Sequence, residues 1–350
     1  MTDSLTLKVN YIQELTPNSK VIGFDIPKEF ESNFFFKAGQ FITLEVIIKN
    51  QTIRRTYSIC STPLEKNFRI AVKKLKNGLC SEFLNSKLRI GDIIHVNPPK
   101  GNFLYNPTSE TKNLLGFAAG SGITPIYSIL KSCIFSNSNN HFTLLYGNKN
   151  IEDTMFYIEL KELEKNYPDQ LTIFWLFSRS SEPNSIFGRI DKSTINAVFK
   201  IISAPINFYY ICGPNNMTDS IKEILINKSI SKENISYELF NSNIPTLNKN
   251  KLSEDKNIES SLELKYEELT YNISLSLSDT ILETILNNNI DVPYSCQGGV
   301  CSTCIARLKE GEVKMANNQI LTEDEIEEGL ILTCISRPKS KKIIVDYDDV

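Results

Sequence analysis

Cys296, Cys301 and Cys304, joined much later by Cys334, are the residues of this chain best equipped for chemistry. Their spacing, Cys-x4-Cys-x2-Cys and then a distant Cys, is the ligand pattern of a plant-type [2Fe–2S] cluster. Two irons bridged by two sulfides take four thiolates. Three come from one tight loop, and the fourth must arrive from elsewhere in the fold. Gly298 and Gly299 let backbone N–H groups turn toward a buried negative group. A structural zinc site would show two short Cys pairs, whereas this loop has one pair and an x4 step. A Rieske centre needs two histidines, and the only two in the chain, His95 and His141, lie far from the loop. Disulfides are disfavoured, because Met1-Thr-Asp-Ser-Leu5 has neither the basic start nor the apolar run of a signal peptide. Cys60, Cys80, Cys133 and Cys212 are scattered and read as small buried residues.

A second set of residues suits nucleotides. Arg55-Thr-Tyr57-Ser58-Ile59 offers a cation for a pyrophosphate, a ring for stacking and a hydroxyl for hydrogen bonding. Alone it is equally a strand with mixed faces. Gly78-Leu79-Cys80-Ser81 opens a helix, and a helix N-terminus preceded by glycine cradles phosphate. Gly120-Ser-Gly122-Ile-Thr124-Pro125 follows an apolar strand and precedes another helix, where glycines permit close approach of a pyrophosphate. Pro125 stands where the usual fingerprint has its third glycine, so this stretch alone is as consistent with a plain turn. Cys212-Gly213-Pro214-Asn-Asn-Met217 ends a further strand, at the carboxyl edge where open α/β sheets bind ligands.

The elements that position these residues change character along the chain. The first hundred residues carry short strand-like runs at 41–48, 69–73 and 92–96, punctuated by Gly39, Gly78, Gly91 and Pro98-Pro99, with a helix over 80–86. They predict a small antiparallel barrel. From about Asn113 strands alternate with helices: strands at 114–118, 142–146, 171–177 and 208–212, helices from about Pro125 and around 156–164. That rhythm predicts a parallel, doubly wound α/β sheet. Residues 241–258 lack periodicity, are rich in Asn, Lys and Ser, and read as a linker with a random-coil span of roughly 25 Å. The last ninety or so residues predict a compact unit: strands near 263–265 and 271–277, a helix near 279–288 started by Asp279, then the cysteine loop.

Composition narrows the function. With 41% hydrophobic and 23% charged residues the chain is ordinary for a globular protein. No apolar stretch is long enough to span a bilayer, so a cytoplasmic protein without membrane insertion is expected. A net charge of -3 gives no reason to expect nucleic acid as a partner. The charge is uneven: residues 261–350 hold 8 Lys+Arg against 16 Asp+Glu, net -8, which leaves +5 for the rest. An acidic module beside a basic body would be drawn toward it, although acidic faces also simply solubilise.

Taken in order, Arg-x-Tyr-Ser, Gly-x-x-Ser, Gly-x-Gly-x-x-Pro and Cys-Gly-Pro-x-x-Met resemble the ferredoxin–NADP reductase superfamily over residues 1–240. The cysteine module resembles a plant-type ferredoxin fused at the C-terminus. The whole is most similar to the reductase subunits of phenylacetyl-CoA epoxidase and related oxygenases. The resemblance implies an antiparallel β-barrel FAD domain at 1–108, a doubly wound NAD(P)-binding domain at 109–240 and a β-grasp ferredoxin domain at 259–350. It also implies roles. Arg55 would bind the FAD pyrophosphate, Tyr57 would stack on the isoalloxazine, and Ser58 and Ile59 would border it. Gly78, Leu79, Cys80 and Ser81 would hold FAD phosphate. Gly120, Gly122, Thr124 and Pro125 would shape the nucleotide site, and Cys212, Gly213 and Pro214 would border the nicotinamide. Glu238 and Phe240 would close over the flavin, while Ser178 and Arg179 would contact a 2′-phosphate, favouring NADPH over NADH. Cys296, Cys301, Cys304 and Cys334 would ligate the cluster. The implied activity is an NAD(P)H-dependent reductase passing electrons through FAD and the cluster to a protein acceptor. That acceptor would be an oxygenase, or else a desaturase or a ferredoxin- or flavodoxin-like carrier. A redox-sensing protein without turnover is the reading from another class.

Overall fold

The computed structural model describes residues 4–48, 51–76, 78–108, 110–202, 204–239, 259–288, 290, 292–294, 297–299, 301–316, 318 and 320–350. The chain divides into two compact units, Asp3–Ser242 and Asn243–Val350. The expected linker, Phe240 and Cys296 lie outside the described residues.

The first unit begins with β1 (Leu5–Thr16), β2 (Ser19–Asp25), β3 (Phe41–Ile48), β4 (Gln51–Ser58) and β5 (Phe68–Lys73). Helix α1 (Leu79–Ser86) and β6 (Ile93–Lys100) follow. The strands form one antiparallel sheet in the order β4-β3-β6-β1-β2-β5, and a bridge between Ile59 and Ile70 joins its two edges into a barrel. Side chains alternate as a half-buried sheet requires: Leu7 and Val9 are fully buried while Thr6 and Lys8 face out. Two details differ from the sequence reading. Strands β1 and β2 precede the runs expected from sequence, and β1 loses its alternation after Val9, where the pairing slips at bulges between Val9 and Tyr11 and between Glu14 and Thr16. Pro98 and Pro99, expected as punctuation, lie inside β6. Pairing with β1 ends at Val96, so the missing proline N–H groups interrupt no ladder on that side.

The second half of this unit alternates. It runs β7 (Asn113–Ala119), α2 (Ile123–Ser136), β8 (His141–Asn148), α3 (Tyr157–Asn166), β9 (Leu171–Phe177) and β10 (Ile186–Phe187). Then come α4 (Lys192–Ile201), β11 (Phe208–Gly213), α5 (Asn215–Asn227) and β12 (Ile235–Leu239). All pairings are parallel, in the order β10-β9-β8-β7-β11-β12. Both faces are covered, which is why strands such as Leu114-Leu-Gly-Phe-Ala118 are apolar throughout. The order reverses between β7 and β11, so their carboxyl ends flank the crevice where such sheets hold ligands.

Barrel and α/β sheet share one core. Val21, Ala38, Cys60, Ala71 and Phe103 pack in the same cluster as Ile126, Leu130 and Phe142. Polar bonds cross the same boundary: Ser128 Oγ donates to the Ser61 carbonyl at 2.6 Å, and Lys131 Nζ to Glu65 Oε1 at 2.7 Å. Lys131 also lies over the Tyr127 ring, 4.4 Å from its centre.

The second unit starts with β13 (Glu259–Tyr266), β14 (Leu269–Ser276) and α6 (Ile281–Asn287). After the cysteine loop come β15 (Ile305–Glu310), β16 (Val313–Met315), α7 (Glu323–Glu327), β17 (Leu330–Leu332), β18 (Ser336–Pro338) and β19 (Lys342–Asp346). The main sheet runs β14-β13-β19-β15-β17, with β13 and β19 parallel, and α6 buries Ile281, Leu282 and Ile285 against it, the β-grasp arrangement. Helix α6 starts one residue later than expected. Its cap is Thr280, not Asp279, in a reciprocal box with Glu283: Glu283 N–H donates to Thr280 Oγ1 at 3.2 Å and Thr280 N–H to Glu283 Oε2 at 2.9 Å.

Candidate cofactor sites

The flavin residues lie on β4 and α1. Pairing of β3 with β4 sets Tyr57 against Ile42 and Ser58 against Phe41 at the barrel's rim. Tyr57 is half-buried, and its hydroxyl donates to Cys80 Sγ at 3.5 Å. Burial pushes that phenol well above its ordinary pKa, with the Cys80 thiol adding to the shift, so it stays a protonated donor. Arg55 turns one guanidinium nitrogen to the Arg54 carbonyl at 2.6 Å, and Ile59 is buried. Helix α1 starts at Gly78 without any side-chain cap. The first N–H groups of a helix have no partner within the helix itself. Ser81 Oγ fills the corner, donating to the Gly78 carbonyl at 3.0 Å, and a Cβ on Gly78 would fall 2.5 Å from that oxygen. An uncapped helix start beside a half-buried aromatic ring and Arg55 fits a dinucleotide phosphate.

The nucleotide residues meet at the crevice. Gly120, Ser121 and Gly122 form one 3-10 turn between β7 and α2. Gly122 lies against the end of β11, where a Cβ would come 2.2 Å from the Cys212 carbonyl oxygen. Gly120 has φ +54, open space where a Cβ would be, and the Lys73 ammonium 4.0 Å from that point. Its carbonyl accepts from the Tyr146 hydroxyl at 3.0 Å. Thr124 donates to the Ser121 carbonyl at 3.1 Å, and Pro125 sits in the first turn of α2, where its missing N–H costs nothing. Ser178 and Arg179 follow β9, and their N–H groups bond to the carbonyls of Asn148 and Lys149 at 3.0 and 2.9 Å. The Ser178 hydroxyl donates to the Asn148 carbonyl at 3.3 Å, and Arg179 beside it is exposed. Asn148 Nδ2 and Ser180 Oγ are buried beside this loop without a hydrogen-bond partner, as is Asn215 Oδ1 at the start of α5. Orphaned polar atoms around an open glycine turn fit a nicotinamide nucleotide.

Cys212, Glu238 and Ser58 come together although they are distant in sequence. Parallel pairing of β11 with β12 sets Cys212 beside Glu238. Ser58 Oγ donates to Glu238 Oε2 at 3.3 Å across the barrel boundary. All three are buried, Cys212 completely. Burial pushes the Cys212 thiol well above its usual pKa and the negative charge of Glu238 adds to the shift, so it stays uncharged. A Cβ on Gly213 would meet only the mobile end of Met217, Cε at 2.5 Å, with Ala119 Cβ next at 3.3 Å. Pro214 caps α5.

Two further residues lie near the expected nucleotide residues without a motif to announce them, Lys73 beside Gly120 and Phe187 beside the end of β9. Lys73 ends β5, is half-buried, and its pKa is lowered by burial, opposed by the carboxylate of Asp153. Its only trace in sequence is a lysine closing an apolar strand just before Gly78. Phe187 is 68% exposed, pairs with Phe177 in register, and so stands next to Ser178 and Arg179. An exposed phenylalanine in a two-residue edge strand gives no sequence signal.

In the second unit Cys301, Cys304 and Cys334 are buried. Pairing of β15 with β17 brings the last two together: the Thr333 N–H donates to the Cys304 carbonyl at 3.1 Å. Gln297 and Gly299 have φ of 54 and 76, the left-handed turns that aim successive N–H groups into a concavity. Three buried thiols are the donors an iron–sulfur cluster takes, although among the described residues no three His, Cys, Asp or Glu side chains stand close enough together to hold a metal ion.

Three domain families match the chain: the oxidoreductase FAD-binding domain over residues 6–105, the oxidoreductase NAD-binding domain over 117–223, and the 2Fe-2S iron-sulfur cluster binding domain over 268–339. One of the subunits of 1,2-phenylacetyl-CoA epoxidase from Escherichia coli K12 is 30% identical over 99% of this chain and 99% of its own. The ferredoxin reductase component of 3-ketosteroid-9-alpha-monooxygenase from Rhodococcus rhodochrous is 30% identical over 98% of this chain and 97% of its own. The solved structure of phthalate dioxygenase reductase shares the fold, with a TM-score of 0.66 at 23% identity over 99% of this chain and all 100% of that one. No helix among the described residues is long and apolar enough to cross a membrane. The protein uses a pyridine nucleotide, FAD and a [2Fe–2S] cluster to deliver electrons to a protein acceptor. With flavin barrel, nucleotide sheet and cluster module joined in this order, the chain belongs to the family of NAD(P)H-dependent reductase components of oxygenases.

Proposed function

We propose that the chain is an NADPH-preferring reductase of a cytoplasmic oxygenase, of the same kind as phenylacetyl-CoA epoxidase. The observation that carries the catalytic reading is the buried group of Ser58, Cys212 and Glu238 at the mouth of the crevice. FAD held by the Arg55–Ser58 strand and the start of α1 would supply the means to accept a hydride and to release electrons one at a time, and a cluster held by the cysteines would supply a one-electron carrier. The protein's residues arrange this. The uncharged Cys212 thiol and the Gly122–Cys212 contact wall off a dry slot for the nicotinamide. Ser58, tied to Glu238, presents a hydroxyl at the flavin edge. Tyr57 supplies the ring face, while Arg55 and the start of α1, Gly78 to Ser81, receive pyrophosphate. Lys73 adds a cation at Gly120, Phe187 a face for adenine, and Arg179 a contact for a 2′-phosphate. Cys301, Cys304 and Cys334, with Cys296, supply the four thiolates. Domain limits of 1–108, 109–240 and 259–350 go with this reading, and the family matches inside them, at 6–105, 117–223 and 268–339, support it. The epoxidase and monooxygenase relatives favour an oxygenase as the acceptor.

Arg179→Ala tests the nucleotide preference. It removes a charge-assisted contact worth about 1.5–3 kcal/mol. kcat/KM for NADPH, measured with ferricyanide, should fall about tenfold or more while that for NADH hardly moves. Equal losses for both nucleotides would show that Arg179 does not read the 2′-phosphate.

A further inference from the structure

Tyr347 follows β19, whose inward face is set by alternation: Ile343 and Val345 are fully buried, and Tyr347 is 7% exposed. Its backbone N–H donates to the Lys265 carbonyl at 2.9 Å, which fixes where the ring emerges. Its hydroxyl lies 2.6 Å from Oγ1 of Thr333, itself fully buried. Thr333 has one hydroxyl proton and donates it to the Cys304 carbonyl at 3.1 Å. The contact between the two hydroxyls then has one consistent direction: Tyr347 donates and Thr333 accepts. The Thr333 N–H donates to the same carbonyl, also at 3.1 Å. Both donors on Cys304 thus come from the residue next to Cys334. The chain of bonds ties the last cysteine of the loop to the distant fourth one.

We propose that Tyr347 is a positioning residue of the iron–sulfur centre, fixing the spacing of Cys304 and Cys334 through Thr333. The proposal rests on those cysteines being ligands. Each bond in such a chain polarises the next. Outer bonds of this kind orient the ligands, and losing one typically costs about 10–100-fold in metal affinity or activity. A tyrosine that only filled the core would act through its ring, which phenylalanine keeps.

Tyr347→Phe in the full-length holoprotein separates the two. The expected result is an altered EPR spectrum of the reduced cluster, a shifted midpoint potential, and cluster loss to a chelator about tenfold faster. Thr333→Val should reproduce these changes, and Thr333→Ser, which keeps the hydroxyl, should restore wild-type values. Tyr271→Phe removes a hydroxyl from the same core on β14 and should change none of the three. A wild-type spectrum, potential and loss rate in Tyr347→Phe would overturn the proposal. So would equal damage from Thr333→Ser and Thr333→Val, or the same changes in Tyr271→Phe. A full wild-type cluster in Cys334→Ser would overturn the ligand assignment, and this proposal with it.

Discussion

Cys334→Ser should leave NAD(P)H oxidation with ferricyanide near the wild-type rate and reduce electron delivery to cytochrome c or the native oxygenase to background. Every proposed flavin and nucleotide residue lies in the unit Asp3–Ser242, and Cys334 lies in the other. Ferricyanide is small enough to collect electrons from the flavin directly. A protein acceptor needs the cluster, and one lost thiolate of four breaks its ligand set. Iron and acid-labile sulfide should fall together in the variant while flavin absorbance stays. A chain ending near Asn241 should behave the same way. Reduction of the native partner by that shortened chain at the full-length rate would show that the cluster is not an obligatory carrier, and the C-terminal module would then be read as a docking or sensing domain.

Gly122→Ala should be the most damaging single methyl in the nucleotide site. The added carbon would meet the Cys212 carbonyl oxygen at 2.2 Å, its carbon at 2.6 Å and Gly213 N at 2.9 Å. All three are backbone atoms of a central strand, and none can rotate away. Either β11 shifts or the 120–122 turn opens, at a cost of about 1–3 kcal/mol for overpacking of this kind. Gly122 has φ -62, so alanine is not strained there and the effect reports the close approach alone. Gly120→Ala makes the opposite case: its Cβ meets open space, but φ +54 costs a non-glycine residue about 1–2 kcal/mol. NADPH–ferricyanide turnover should fall at least tenfold in Gly122→Ala, with FAD retained, because the slot beside Cys212 is displaced. Wild-type turnover would show that the nicotinamide does not lie between this turn and β11.

What can be read from the sequence divides by the range of the interaction. Strands β3 and β9 fall where their apolar runs stand, since a strand's residues carry their own signature. The cysteine spacing and the glycine turns are likewise local. Strand β1 shows its alternation only from Leu5 to Val9, because a one-residue slip at the first bulge shifts the faces beyond it. The preference for Asp279 over Thr280 as a helix cap fails on a single residue: two good caps stand side by side, and Glu283 decides between them. Lys73, Phe187 and Tyr347 matter through partners brought in by sheet register, about which a single sequence says nothing. Glu238 is reached only through the family resemblance; its approach to Ser58 spans 180 residues.

The shared core of barrel and nucleotide sheet, with Lys131 reaching Glu65, also governs how this unit comes apart. If the barrel melted first, it would strip the Lys131 ammonium, 9% exposed at its side chain, of its carboxylate. If the sheet melted first, Val21, Ala38 and Ala71 would be left facing water. Neither half-melted intermediate is sheltered. The two halves are coupled into a single cooperative block, so the flavin and nucleotide platforms are lost together. Heating should therefore release flavin and abolish nucleotide oxidation in one transition, which a single coincident melt by flavin fluorescence and circular dichroism would show.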